Sequence, residues 1–138
     1  MREIKFRSFV KKDKCICKTL SIELNRGLDG TLQVEYPDGA KTTLSLHFVK
    51  LMQYTGLKDK NGIEIYEGDI VKVPHFSHDE RIKINGVIKY VDNRAEFVID
   101  LEDIEETFYC CNQSERIEVV GNIYENPELL KEEKEDEY

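Results

Sequence analysis

The sequence lacks several features that would assign the protein to a familiar class. It has no tryptophan, and no apolar run approaches the roughly 20 residues that a membrane-spanning helix needs. The opening MREIKFRSFV has no apolar stretch of the kind found in signal peptides. There is also no glycine-rich phosphate-binding loop and no G-x-S-x-G nucleophile elbow. These absences argue against a membrane protein and against two large enzyme classes, and we expect a protein of the cytoplasm.

Charge is distributed unevenly along a chain of ordinary composition. The 138 residues are 40% hydrophobic and 35% charged, with a formal net charge of −8. Residues 1–18 carry seven Lys or Arg against two acids, whereas residues 95–115 carry seven acids and no Lys or Arg. An acidic total disfavours nucleic-acid binding, because phosphate neutralisation supplies most non-specific affinity. We interpret most of this charge as solvated surface.

Short segments of β-type alternation, separated by turn residues, dominate the chain. Strands are predicted in EIKFRSF, CICKTLSIEL, DIVKV and RIEVVGNIY. In CICKTLSIEL, most of the apolar residues, Ile16, Leu20, Ile22 and Leu24, fall at even-numbered positions and should share one face of the strand. The turn sequences PDG and DNR each separate two such segments and predict hairpins. Pro74 should end its strand, because proline donates no ladder hydrogen bond.

Helical signals are few. HFVKLMQYTG is compatible with one or two helical turns before Gly56, and ENPELLKEEKEDEY is the clearer case. There Asn126 can cap a helix, and Pro127 suits its first position. These elements predict a mainly β protein, a small barrel or sandwich-like domain with short helical turns and one C-terminal helix.

We expect one domain over residues 1–138. Within it we distinguish an N-terminal β lobe over residues 1–50, a barrel-like lobe over residues 51–125 and the helix over residues 126–135. A chain of this length can bury enough surface to fold without metal or disulfides.

The segment LMQYTGLKDKNGIEIYEGDIVKV, residues 51–73, has a complete structural explanation. Asn61-Gly62 suits the centre of a tight turn with positive φ, and Asp69 can accept backbone N–H bonds before the next strand. A catalytic role for Asp69 would need a base or nucleophile beside it, and the sequence supplies none. We therefore name no catalytic residue.

The cysteines and histidines could in principle bind zinc. Cys15 and Cys17 are separated by one residue and Cys110 and Cys111 by none, whereas paired ligands in structural zinc sites are usually separated by two to four residues. We expect reduced cysteines that pack as small hydrophobes, and neither a metal site nor a cofactor. Two of the histidines lie in the polar loop PHFSHDER, where they suit a partner contact: His75 and His78.

Two further sequence features could carry chemistry. The acidic run DLEDIEETFYCC lacks the order of a calcium loop and is interpreted as a solvated loop. Small β domains can also bind single-stranded nucleic acid on aromatic side chains in a basic groove. The aromatic and lysine residues available for this are Tyr36, Phe48, Tyr54, Tyr66, Tyr90 and Phe97, with Lys50, Lys58, Lys60, Lys72 and Lys89. Half-buried packing is the commoner role of such tyrosines.

Three segments resemble the signature of one family. LMQYTGLKDKNGIEIYEGDIVKV, the opening REIKFR and the closing VVGNIYENPELL are similar to the YopX family of phage and prophage proteins. The resemblance implies a mostly β protein encoded by a phage or prophage and acting in the bacterial cytoplasm. It implies no activity and supplies no catalytic residues.

The favoured hypothesis is a non-enzymatic phage accessory protein that acts as a protein-binding or scaffold module. We expect a homo-oligomer with a further protein partner that the sequence does not identify, and no membrane association. The candidate binding residues are His75, His78, Lys58 and Lys60. The alternatives are a nucleic-acid-associated β module, which requires a continuous basic face, and a metal-dependent enzyme, which requires converging ligands.

Overall fold

The computed structural model describes residues 3–24, 30–74, 83–101, 105–107 and 116–130. The chain divides into two compact units, Met1–Tyr54 and Thr55–Tyr138. The organisation as one domain stays a prediction. Among the described residues, no helix has the length and apolarity needed to cross a lipid bilayer.

The first sheet has six strands in the order β4-β3-β2-β1-β5-β6. The strands are β1 Phe6–Val10, β2 Cys15–Glu23, β3 Thr31–Glu35, β4 Lys41–Ser45, β5 Val49–Lys58 and β6 Glu64–Tyr66. Strand β1 pairs antiparallel with both β2 and β5, and β3 pairs antiparallel with β2 and β4. A 3-10 helix, Leu46–Phe48, connects β4 to β5.

The second sheet has five strands in the order β10-β9-β8-β7-β11. They are β7 Asp69–Pro74, β8 Lys83–Val91, β9 Glu96–Asp100, β10 Glu105–Thr107 and β11 Glu118–Asn122. Every neighbouring pair in this sheet is antiparallel. Strand β7 ends at Pro74, as predicted.

The mainly β prediction is confirmed, but the barrel alternative is wrong. Closing a barrel requires the first and last strands of a sheet to pair. In the described pairings β4 and β6 remain edges of the first sheet, and β10 and β11 remain edges of the second. The result is two open antiparallel sheets.

Helical structure is less extensive than the sequence suggested near residue 50. The segment HFVKLMQYTG contributes only the end of the 3-10 helix and then continues as β5. At the C-terminus, residues 128–130 are helical, which agrees with the predicted short C-terminal helix, and residues 131–135 lie outside the described part. The Asn126 side chain does not cap this helix; its Oδ1 accepts from the backbone N–H of Asn122 at 3.2 Å.

The predicted hairpins are present. At PDG, the Gly39 N–H donates to the Tyr36 carbonyl at 2.8 Å, and Gly39 has φ 92°. At KDKNG, the Gly62 N–H donates to the Asp59 carbonyl at 3.0 Å in the same way. There only Gly62 has positive φ, so the turn centre lies at Lys60-Asn61 and not at Asn61-Gly62 as predicted. Both are three-residue hairpin loops, in which a left-handed glycine follows the turn.

A β-bulge in β2 corrects the predicted parity of that strand. Thr19 pairs with Val34 and Ser21 with Gln33, so Leu20 is an extra residue. A one-residue insertion reverses which side chains face the core. Cys17 is therefore buried before the bulge, and Leu20 is 36% exposed.

Each unit has its own apolar core. The core cluster of the first unit contains the buried residues Val10, Cys17, Leu32, Val34 and Val49. The core cluster of the second unit contains Ile65, Val71, Val73, Ile88, Ile99, Leu101 and Ile117. Branched aliphatic residues at alternate strand positions fill both cores, which is the packing that β-branched side chains favour.

Candidate functional site

The KDKNG turn places the two predicted lysines at the surface. Lys58 ends β5 and is exposed, and Lys60 is exposed beside Glu118, with a distance of 3.6 Å from its Nζ to Oε1. Between them, Asp59 is only 4% exposed. The turn thus presents two separate cations, one of which already has an acidic neighbour.

The Asp59 carboxylate stabilises the fold by accepting backbone hydrogen bonds. Its Oδ1 accepts from the N–H groups of Asn61 at 2.8 Å and Ile63 at 2.9 Å. Its Oδ2 accepts from the N–H of Val119 at 2.9 Å. All three donors are backbone groups, so the carboxylate stabilises the turn and ties it to β11.

Asp69 and Asn122 are used in the same manner. Asp69 is fully buried, and its Oδ2 accepts from the Tyr66 N–H at 2.8 Å, as its place in the turn predicted. The Oδ1 of Asn122 accepts from the N–H groups of Tyr124 and Glu125 at 3.0 and 2.9 Å. Asp59 and Asp69 of the 51–73 segment and Asn122 of β11 therefore have structural roles.

Several sequence-predicted positions lie outside the described residues. These are His75 and His78, Cys110 and Cys111, and most of the acidic run. In the described part of the chain, no three His, Cys, Asp or Glu side chains are grouped to hold a metal ion.

The cysteines that are described pack together in the first unit. Cys17 is in the core, as expected for a small hydrophobe, and Cys15 is partly buried. Their Sγ atoms are 3.7 Å apart. Burial, together with the hydrogen bond to Cys15, raises the pKa of Cys17 to about 12, so this thiol is a poor nucleophile near neutral pH.

Most of the aromatic residues considered for nucleic-acid binding are packing residues. Tyr54 is 6% exposed, with the Lys5 ammonium 5.0 Å from its ring centroid. Tyr90 and Phe97 face each other across β8 and β9 with centroids 5.1 Å apart. Tyr90 is nevertheless 41% exposed, and Phe48 is the more exposed of the two, at 58%.

The backbone places Phe48 and four lysines at one end of the first sheet. We call this group the basic end: Lys11, Lys12, Lys14, Phe48 and Lys50. The three turn lysines join β1 to β2, and the Lys11 N–H donates to the Phe48 carbonyl at 3.1 Å. Lys50 follows in β5 directly opposite Phe9 of β1. Tertiary pairing therefore gathers residues that are more than 30 positions apart in sequence.

The lysines of the basic end are exposed. Within the described residues, no acidic side chain forms an ion pair with Lys12, Lys14 or Lys50. The acid in the same turn, Asp13, accepts instead from the Tyr36 hydroxyl at 2.6 Å. That hydrogen bond and burial raise the pKa of Tyr36 to about 12.

The backbone that carries Phe48 is firmly held. Ser45 Oγ accepts from the His47 N–H at 3.2 Å, and the Val49 N–H closes the 3-10 helix on Leu46. Lys11 adds a second contact, because its Nζ donates to the His47 carbonyl at 2.9 Å. The ring is therefore presented to solvent from a fixed backbone.

The two units differ in charge. Met1–Tyr54 contains ten Lys or Arg against six Asp or Glu, a net charge of +4. Thr55–Tyr138 contains ten against twenty-two, a net charge of −12. The excess of lysine among residues 1–18 signalled this positive unit, but only strand pairing shows that Phe48 and Lys50 join it.

The chain is similar to other proteins over nearly its whole length. The family model described as YopX protein matches residues 5–131. No curated protein matches the chain in sequence. The crystal structure of protein EF1440 from Enterococcus faecalis is 26% identical with a TM-score of 0.66, covering 94% of this chain and 99% of that one.

A second solved structure has the same fold. The crystal structure of yopX from Bacillus subtilis is 24% identical with a TM-score of 0.63 and covers 94% of this chain and 97% of that one. The family match spans every strand of both sheets. The resemblance of the three sequence segments is therefore confirmed, and the chain belongs to the YopX family.

Proposed function

We propose that the protein is a non-enzymatic binding module of a phage or prophage, acting in the cytoplasm of the bacterial host. One observation carries the proposal: the exposed residue Phe48 and four exposed lysines lie at the same end of the first sheet, on a unit of net charge +4. A surface of one sign attracts and orients a partner of the opposite sign. The partner is therefore anionic at the contact.

The second unit supports the non-enzymatic part of the proposal. Asp59, Asp69 and Asn122 are its buried polar side chains among the described residues, and each accepts backbone hydrogen bonds. A general acid or base needs a proton-transfer partner within hydrogen-bond reach. The N–H groups that occupy these oxygens stabilise turns instead.

The proposal includes self-association as a scaffold. Strand β4 is an edge of the first sheet, and edge strands leave backbone hydrogen-bonding groups available to another chain. Native mass spectrometry of protein purified without chelator should give a metal-free oligomer. A monomer would contradict self-association, and a stoichiometric divalent ion would contradict the non-enzymatic assignment.

Anion binding at the basic end is tested with heparin as a generic polyanion. The test variant carries Lys12→Gln, Lys14→Gln and Lys50→Gln, and it leaves Lys11 to hold the His47 carbonyl. The matched control carries Lys58→Gln, Lys72→Gln and Lys83→Gln, which removes the same charge from exposed positions of the second unit.

The wild-type protein and the control should be retained on heparin at low ionic strength, where screening is weak. The test variant should elute at lower salt. If the wild-type protein is not retained, or both triple variants elute together, the basic end is not an anion-binding surface. If only the control variant loses retention on heparin, the anion-binding site lies in the second unit, which contains the sequence-based candidate Lys58.

A further inference from the structure

We infer that the anionic partner of the basic end is single-stranded nucleic acid, with one base stacked on the ring of Phe48. This inference rests on the proposed function, because it names the ligand class of the same surface. It combines a ring that is 58% exposed with a cluster of lysines without acidic partners in the described residues.

The first observation is the exposure of Phe48. Burying a phenylalanine side chain stabilises a fold by about 1.5–3 kcal/mol, and Phe48 contributes little of this because it faces solvent. Its neighbour Leu46 does pack on the core of the first unit. The 3-10 helix thus packs the partly buried Leu46 against the core and leaves Phe48 exposed, which suits a ligand with an apolar flat face.

The second observation is the fixed backbone. The hydrogen bonds of Ser45 with His47 and of Lys11 with the His47 and Phe48 carbonyls hold the segment before a ligand arrives. A side chain presented from an ordered backbone loses less conformational entropy on binding. Phe48 therefore offers a preorganised surface for stacking.

The third observation is the exposure of the lysines of the basic end. Lys12, Lys14 and Lys50 are exposed, and the Lys11 ammonium is held at the carbonyl of His47, the residue before Phe48. The same end of the sheet therefore offers cations to the phosphates of a bound strand. Single-strand binding proteins combine these two elements, an aromatic platform and a basic track for the backbone. Duplex DNA offers the phosphates but hides the base faces, so it fits the surface less well.

An acidic segment of a protein shares the charge but not the stacking face. Carboxylates would be attracted to the lysines, yet they would gain nothing specific from an aromatic ring in place of an aliphatic one. The aromatic character of residue 48 therefore distinguishes nucleic acid from an acidic protein. Three variants test the contribution of the aromatic ring. Phe48→Ala removes the side chain, Phe48→Leu keeps apolar area without a ring, and Phe48→Tyr keeps the ring.

The experiment measures fluorescence anisotropy of labelled oligothymidylate and oligouridylate of about ten nucleotides. For the wild-type protein, the logarithm of the association constant should fall with the logarithm of salt concentration with a slope of about −3, from four lysines on a single strand. The variant with Lys12, Lys14 and Lys50 changed to Gln should give a slope of about −1.

Phe48→Ala and Phe48→Leu should weaken oligonucleotide binding about fivefold or more, because stacking contributes about 1–3 kcal/mol per base. Phe48→Tyr should bind like the wild-type protein. The salt slope and the retention on heparin should be unchanged in all three. Ile63→Ala, at an exposed apolar position of the second unit, should bind like the wild-type protein and serves as the control.

The outcomes separate this inference from the proposed function. If the lysine variant is no longer retained on heparin but Phe48→Leu binds oligonucleotide like the wild-type protein, the basic end binds anions and the stacking inference is wrong. If polyglutamate or duplex DNA binds as tightly as the single strand, the ligand is an acidic protein or a duplex, and the inference is overturned. If neither heparin nor oligonucleotide responds to the lysine variant, both the inference and the proposed function fail.

Discussion

The carboxylate of Asp59 and the backbone N–H of Val119 are 2.9 Å apart, although 60 residues separate them in sequence. Asp59 lies in the hairpin loop after β5, and Val119 lies in β11. A second contact runs in parallel, because the Lys60 N–H donates to the Ile117 carbonyl at 3.0 Å. The loop is therefore fastened to the last strand within the second unit.

Removing the Asp59 carboxylate should destabilise the protein strongly. Asp59→Ala leaves three backbone N–H groups without their acceptor, and we expect a loss of at least about 3 kcal/mol in the free energy of unfolding. The control is Asp38→Ala, because Asp38 is exposed and, among the described residues, accepts a hydrogen bond only from the Ala40 N–H, which predicts a loss of about 1 kcal/mol or less. Urea denaturation measures both; equal losses would refute the fastening role.

Exchanging glycine and alanine at two left-handed positions should have opposite effects. Gly62 has φ 80° and Ala95 has φ 52°, and a Cβ at Gly62 would meet no atom within 4 Å. Backbone strain alone predicts that Gly62→Ala costs about 1–2 kcal/mol and that Ala95→Gly stabilises by up to about 1 kcal/mol. Thermal denaturation of both variants tests the signs, and a stabilising Gly62→Ala would contradict this turn geometry.

Because of the bulge in β2, Leu20 and Leu32 differ in burial. Leu20 is 36% exposed, whereas Leu32 of the adjacent strand is 1% exposed. Leu32→Ala should cost about 2–5 kcal/mol, because it leaves a cavity in the core of the first unit. Leu20→Ala should change stability by no more than about 0.5 kcal/mol. A large loss for Leu20→Ala in the same denaturation experiment would favour the uninterrupted strand that the sequence suggested.

The buried thiol of Cys17 should resist alkylation in the folded protein. Its pKa is raised from 9.0 to about 12, mainly by burial, so the reactive thiolate is scarce near neutral pH. Iodoacetamide followed by peptide mass spectrometry should show modification of the partly buried Cys15 before Cys17. In urea both should react at similar rates. Fast labelling of Cys17 in the native protein would place it outside the core.

The same pKa shift predicts a loss of stability at alkaline pH. The folded state holds the Cys17 proton more tightly than the unfolded state, so its contribution is complete below the unfolded pKa of 9.0 and is lost as the pH rises towards about 12. Tyr36 acts in the same direction, between its ordinary pKa of 10.0 and about 12. Urea midpoints should therefore fall as the pH is raised above about 9, and a flat profile would contradict the prediction.

Local chemistry was enough to predict much of the fold. The strands, the hairpins at PDG and DNR, the end of β7 at Pro74 and the acceptor role of Asp69 depend on neighbours a few residues away. Such features follow from φ preferences, turn chemistry and alternation, which a short segment carries by itself. The sequence of HFVKLMQYTG was ambiguous because helix and strand patterns overlap in short apolar runs.

The candidate site depended on strand pairing, which the sequence does not display. The sequence determined a mainly β protein of the YopX family with a basic beginning and an acidic remainder. Long-range strand pairing and contacts show that Leu20 is an extra residue, that Asp59 accepts from Val119 and that the backbone of Phe48 lies beside that of Lys11. Register and long-range pairing are cooperative properties of whole sheets, because each strand's position is fixed by its partners and by the core they share.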